Sequence, residues 1–98
     1  MNAFTPSIGE TVSISATASN ANASITMGNN SALMVTNTGT ALCYTRWDDS
    51  APTATTSDVP IPAGASIVFS VPDGVTHVAA ICDSGESTTI KFTPGEGV

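Results

Sequence analysis

The 98-residue chain has Lys+Arg 2 against Asp+Glu 8, a net charge of −6 with only 10% charged side chains, so it repels nucleic-acid phosphates and anionic lipid alike, and neither is expected as a partner. The length allows one domain, residues 1–98, with a modest core, and solubility must come from Ser, Thr and Asn. No run approaches the roughly 18 apolar residues of a membrane span. Met1 to Pro6 lacks the basic and apolar regions of a secretory signal, which implies a chain made and kept in a cytoplasm until it joins something else.

In chain order, Glu10 to Ala18 alternates, with Val12, Ile14 and Ala16 on one face and Ser13, Ser15 and Thr17 on the other, the period of a half-buried strand. Ser24 to Met27 is a short second strand. Ala32 to Thr36 is an apolar run ended by the turn residues Asn37-Thr38-Gly39, and Thr40 to Trp47 follows at once, so the two are expected to form a hairpin. Asp48 to Pro60 is a long polar loop, stiffened by Pro52 and Pro60, placed at the surface and expected to touch another chain. Ser66–Val71, Thr76–Cys82 and Ser87–Thr93 are three further strands, separated by Pro72-Asp73-Gly74 and Asp83-Ser84-Gly85-Glu86. Turns at this spacing predict an all-β fold, an antiparallel β-sandwich or jelly-roll-like barrel of six to seven strands. The expected core is Val12, Ile14, Leu33, Val35, Leu42, Tyr44, Ile67, Phe69, Val78, Ile81, Ile90 and Phe92.

A search for chemistry ends without a catalytic set, and no enzyme, cofactor or metal site is expected. Nucleophilic catalysis needs a nucleophile, a base within reach and an orienting group. His77 is the only histidine, and Cys43 and Cys82 are the only thiols; a thiol dyad weighs less than a strand histidine and two buried cysteines acting as small apolar side chains. Asp48-Asp49, and Asp83 with Glu86, are carboxylate pairs in turns. They could bind calcium, but no D-x-D-x-D-G loop surrounds them. Gly95-Glu96-Gly97 has no helix to follow and reads as a tail or a partner-contacting strand rather than a phosphate cradle. Tyr44 and Trp47 lie three apart on one strand, so they face opposite sides and make a poor joint platform for sugar. Asn22-Ala23-Ser24 and Asn29-Asn30-Ser31 fit the glycosylation pattern by chance in an Asn- and Ser-rich stretch.

The run Val35-Thr36-Asn37-Thr38-Gly39-Thr40-Ala41 with Tyr44-Thr45-Arg46-Trp47 resembles the middle of small virion-associated proteins of tailed bacteriophages. The resemblance continues through Pro62-Ala63-Gly64, Val68 to Pro72, Gly74 to Ile81 and Thr93 to Gly97, and does not include residues 1–34. It implies a structural virion protein, a capsid decoration or cement protein that binds the major capsid protein on the outside of the head as a homotrimer. The alternative is a tail or fibre module, carbohydrate-binding through Trp47. Met1 to Ser7 or Thr93 to Val98 would supply a strand that pairs with a neighbour's sheet edge.

Overall fold

The computed structural model describes residues 4–97. They form nine strands: β1 (Thr5–Pro6), β2 (Val12–Ala16), β3 (Ala21–Ser24), β4 (Ala32–Asn37), β5 (Cys43–Asp48), β6 (Val59–Ile61), β7 (Ser66–Ser70), β8 (His77–Cys82) and β9 (Thr88–Glu96). There is no helix among the described residues. All pairings are antiparallel. One sheet, here sheet A, runs β2-β9-β4-β7, with β1 beside the far end of β9; the other, sheet B, runs β3-β8-β5-β6. The chain changes sheet at every connection except β1–β2 and β5–β6, and this strand order is that of a jelly roll.

The expected all-β sandwich is therefore present, with more strands than foreseen and with altered connections. Ala32 to Thr36 and Thr40 to Trp47 are not a hairpin: β4 lies in sheet A and β5 in sheet B. Asn37 decides this. Its side chain points inward and is fully buried, where its amide donates to the carbonyls of Ala41 at 2.7 Å and Ile61 at 2.9 Å. Its Oδ1 accepts from Thr88 Oγ1 at 2.6 Å and from the Gly39 N–H at 3.1 Å. The turn is thus drawn across the end of the sandwich instead of folding back in its own sheet. The second strand lies at Ala21–Ser24, earlier than expected, and Ile25 and Met27 beyond it enter the core. Val59 and Pro60 belong to a strand, not to the long loop; proline is tolerated there because β6 is an edge. The Pro72-Asp73-Gly74 turn stands where expected, with Gly74 at φ 92°.

The core lies between the sheets. Ile14, Leu33, Val35, Val78, Ile90 and Phe92 are buried as expected, each contributing about 1.5–3 kcal/mol over an exposed position. On β5 the inward face is the opposite of the expected one: Cys43 and Thr45 are buried, while Leu42 is exposed and Tyr44 half-buried on the outside. On β7, Ile67 is 37% exposed and Phe69 half-buried, because β7 is an edge strand. Val12 and Ile81 are half-buried. Ile61, Val71 and Val75 complete the core.

Pro94 sits well inside β9, where the ladder should suffer from its missing donor. Its carbonyl accepts from the Ser7 N–H at 2.8 Å. In an antiparallel strand a residue's N–H and C=O positions point to the same side. The missing donor therefore faces Ser7, just past the end of β1, whose carbonyl accepts from the Glu10 N–H at 3.2 Å instead, so no acceptor is left without a partner. Next to it, a Cβ on Gly95 would strike the Phe4 ring and the Thr5 carbonyl. A bare backbone at 95 is what lets the Phe4 ring lie over β9.

Candidate functional site

The two outer faces of the sandwich differ. On sheet B, alternation turns Asn22, Tyr44, Arg46, His77, Ala79 and Ile81 outward. The long segment after β5 runs across this face and is fastened to it. The Asn20 amide donates to the Pro52 carbonyl at 3.3 Å, and the Ala54 N–H donates to Asn20 Oδ1 at 2.6 Å. Pro52 and Ala54 are buried, and Ala79 on the outward side of β8 is fully buried too, as a covered face requires. Arg46 reaches Asp58 at 3.5 Å and Asp48 at 3.9 Å, and Asp58 also accepts from the Thr55 N–H at 2.7 Å. The segment expected to touch another chain is thus a strap anchored to its own, with Thr53 and Thr55 to Ser57 exposed.

Sheet A has no such cover over most of its outer face. Ser13, Lys91, Thr36 and Ser66 stand in one row across it, with Ser15 and Thr89 beside them. Thr36 and Ser66 share a hydrogen bond of 2.8 Å, and Thr11 and Thr93 one of 2.9 Å. Lys91 is the only charge that β2, β4, β7 and β9 turn to this side. A face of short hydroxyls loses little side-chain entropy when another surface packs on it.

At one end of the sandwich, the β3–β4 and β7–β8 loops border an open cleft of about 610 Å³, with Met27, Asn29, Asn30 and Asp73 on its walls. A smaller depression of about 160 Å³ adjoins it, bounded by Trp47, Asp48, Asp49 and Asp73. Trp47 packs on Phe69 with ring centroids 5.1 Å apart, which ties it to the core; Tyr44 is on the other face, as the spacing required. The Asp49 N–H donates to Asp48 Oδ1 at 2.8 Å and holds that carboxyl below its usual range, with Arg46 adding attraction.

The candidate residues for chemistry do not converge. His77 shares a hydrogen bond of 2.8 Å with Thr76 Oγ1 and faces the outside of sheet B, whereas Cys43 and Cys82 lie in the core on its inner side. The two thiols are directly opposite each other on β5 and β8, with no disulfide between them. Burial, then the neighbouring Cys82, pushes the Cys43 thiol up to about 12, and burial raises Cys82. Among the described residues no three His, Cys, Asp or Glu side chains come together as a metal would need. Gly95 and Glu96 lie in β9 and pair with β1, so the two terminal segments expected to reach a neighbour pair with each other. Met1 to Ala3 and Val98 lie outside the described residues.

Nothing in the sequence marks Asn37 or Asn20 for these buried and strap-holding roles. Asn37 sits in an Asn-Thr-Gly string that reads as an exposed turn, and Asn20 in a polar stretch with no pattern to mark it.

Compared with protein families, with characterised proteins and with solved structures, the chain has no significant match to any.

Proposed function

We propose that this protein is a structural component of a tailed-phage virion, a decoration or cement protein that lies on the outside of the head against the major capsid protein. The observation that carries the reading is the distribution of charge: a molecule of net −6 keeps the outer face of sheet A free of carboxylates from its four main strands. Such a face packs against a protein surface without burying unpaired charge, while the rest of the molecule repels packaged DNA. The resemblance of residues 35–97 to small virion proteins supports the same reading. Fold alone does not, since jelly rolls serve many functions.

The test mixes purified protein with undecorated heads and images the particles. Density outside the shell is expected, and Ser13→Asp with Thr36→Asp should abolish it while leaving the fold intact. Density only inside the shell, only on the tail, or nowhere would overturn the reading. A second reading, a carbohydrate-binding tail or fibre module, draws on the depression where Trp47 meets Asp48, Asp49 and Asp73, a pairing of aromatic ring and carboxylates suited to sugar hydroxyls. Quenching of Trp47 fluorescence by an oligosaccharide would favour it.

A further inference from the structure

The edges of the two sheets are not equally protected. An exposed strand edge is a template for another strand, and proteins blunt it with proline, charge or short length. On sheet B, β6 is three residues long with Pro60 at its centre, and β3 is four. On sheet A, β2 keeps Ile14 and Ala16 buried, with serines between. β2 and β7 are both five residues long with neither charge nor proline, but only β7, Ser66-Ile67-Val68-Phe69-Ser70, leaves a large apolar side chain in the open, with Ile67 37% exposed.

We infer that β7 pairs with β7 of a second copy of this chain, antiparallel about a two-fold axis through Val68, joining two A sheets into one. Three observations single out that partner and register. First, the strand reads nearly the same in both directions. Pairing centred on Val68 sets Val68 against Val68, Ile67 against Phe69 and Ser66 against Ser70, so like meets like in size and polarity. Second, the free backbone groups fall at the right residues. Asn37 N–H donates to the Ala65 carbonyl and Val71 N–H donates to the Ser31 carbonyl, so the odd-numbered residues of β7 turn their polar groups toward β4. The N–H and C=O groups of Ser66, Val68 and Ser70 then point to the open edge. In the Val68-centred register these are the residues that lie opposite one another as hydrogen-bonded pairs, and every free group on the edge finds a partner. A centre at Ile67 would set Ser70 against Gly64, and one at Phe69 would set Ser66 against Pro72, which has no N–H; only the Val68-centred register pairs Ser66, Val68 and Ser70 among themselves. Third, the nearest carboxylates along the chain are Asp58 and Asp73, both outside the strand, so two copies of net charge −6 can meet here without carboxylates in the seam.

The same register turns Ile67 and Phe69 of both copies to the inner side, where they extend the two cores across the axis. The Ser and Thr face remains open and becomes continuous over both copies. An isologous contact of this kind gives a dimer, in place of the trimer that the resemblance implies. The seam does not rest on the virion reading, and it is measured on purified protein with no capsid present.

Sedimentation equilibrium over a range of protein and salt concentrations tests it. A dimer is expected, tightening with added salt as the repulsion between copies is screened. Val68→Pro removes an N–H that points away from β4 and so spares the internal ladder; this variant should sediment as a monomer with an unchanged circular dichroism spectrum. Ile67→Lys should do the same by placing charge on the edge, and Val68→Thr should remain a dimer. A wild-type monomer at the highest concentration would overturn the inference. So would a trimer, or a dimer indifferent to both Val68→Pro and Ile67→Lys.

Discussion

Part of the outer face of sheet B is covered by its own chain, and most of the outer face of sheet A is bare. The strap over sheet B is held by Asn20 on one side and by Arg46 with Asp58 on the other, and it buries Ala79, an apolar side chain on the outward side of a central strand. On sheet A the outward positions are mostly Ser and Thr, which water solvates, with Met34, Val68 and Lys91 among them. The difference shows where the protein has settled its own contacts and where it has kept a surface free.

The largest expected effect should fall on both faces together. Asn37 joins β4 to the β4–β5 turn, β6 and β9. Asn37→Leu strands the carbonyls of Ala41 and Ile61, the Gly39 N–H and the Thr88 hydroxyl, and each buried unpaired group costs about 1–3 kcal/mol. A loss of about 4 kcal/mol is expected in urea unfolding. If hydrogen exchange then rose in one sheet alone, the two faces would not share this support.

Gly95→Val tests the sheet A side. Its side chain would collide with Phe4 and Thr5, lifting β1 from β9, at a cost of about 2 kcal/mol. Rapid proteolysis near Phe4 to Ser7 is the readout, with sheet B unaffected. Asn20→Ala is the counterpart on the other face. It removes both bonds to the strap, for about 1–2 kcal/mol, and amide exchange should accelerate from Asp49 to Asp58 while β2, β9 and β4 stay protected. Exchange unchanged in the strap would mean that the Arg46 ion pairs alone hold it.

The smallest effect is nil at neutral pH. The folded state keeps Cys43 protonated up to about 12, while the unfolded thiol titrates near 9. The stability this contributes is intact below about pH 9 and is lost as pH rises from there toward 12. Urea midpoints should fall over that window, and less so in Cys43→Ala. In the native protein at neutral pH neither thiol should react with a thiol reagent, and both should react on unfolding.

Where alternation was strict, the sequence was legible. The Ile14, Leu33–Val35 and Ile90–Phe92 patterns each marked a core face, and the Pro-Asp-Gly turn marked its own place. It was misleading on β5, where Leu42 and Tyr44 outweighed Cys43 and Thr45 in apparent hydrophobicity. There Cys43, Thr45 and Trp47 face inward while Leu42 and Tyr44 face out, so hydrophobicity alone picked the wrong side. Which sheet a strand joins was not legible at all: a turn's residues report that the chain turns, while the destination depends on a distant acceptor such as the Ile61 carbonyl. Asp48-Asp49 was visible as a pair beside Trp47, but its meeting with Asp73 comes from the end of β5 lying against the β7–β8 turn.

The position of β9 has a kinetic side. It is the last strand in chain order, yet it lies in the interior of sheet A, bordered by β2 and β1 on one edge and by β4 on the other. During synthesis the earlier strands emerge with no shared neighbour: β2 waits with a naked edge, and β4 can pair only with β7. Contacts between residues so far apart in sequence form slowly, because a large loop must close before anything is gained. Sheet A therefore assembles after translation has passed Glu96, and until then β7 and β4 offer open edges on both sides to any other nascent copy.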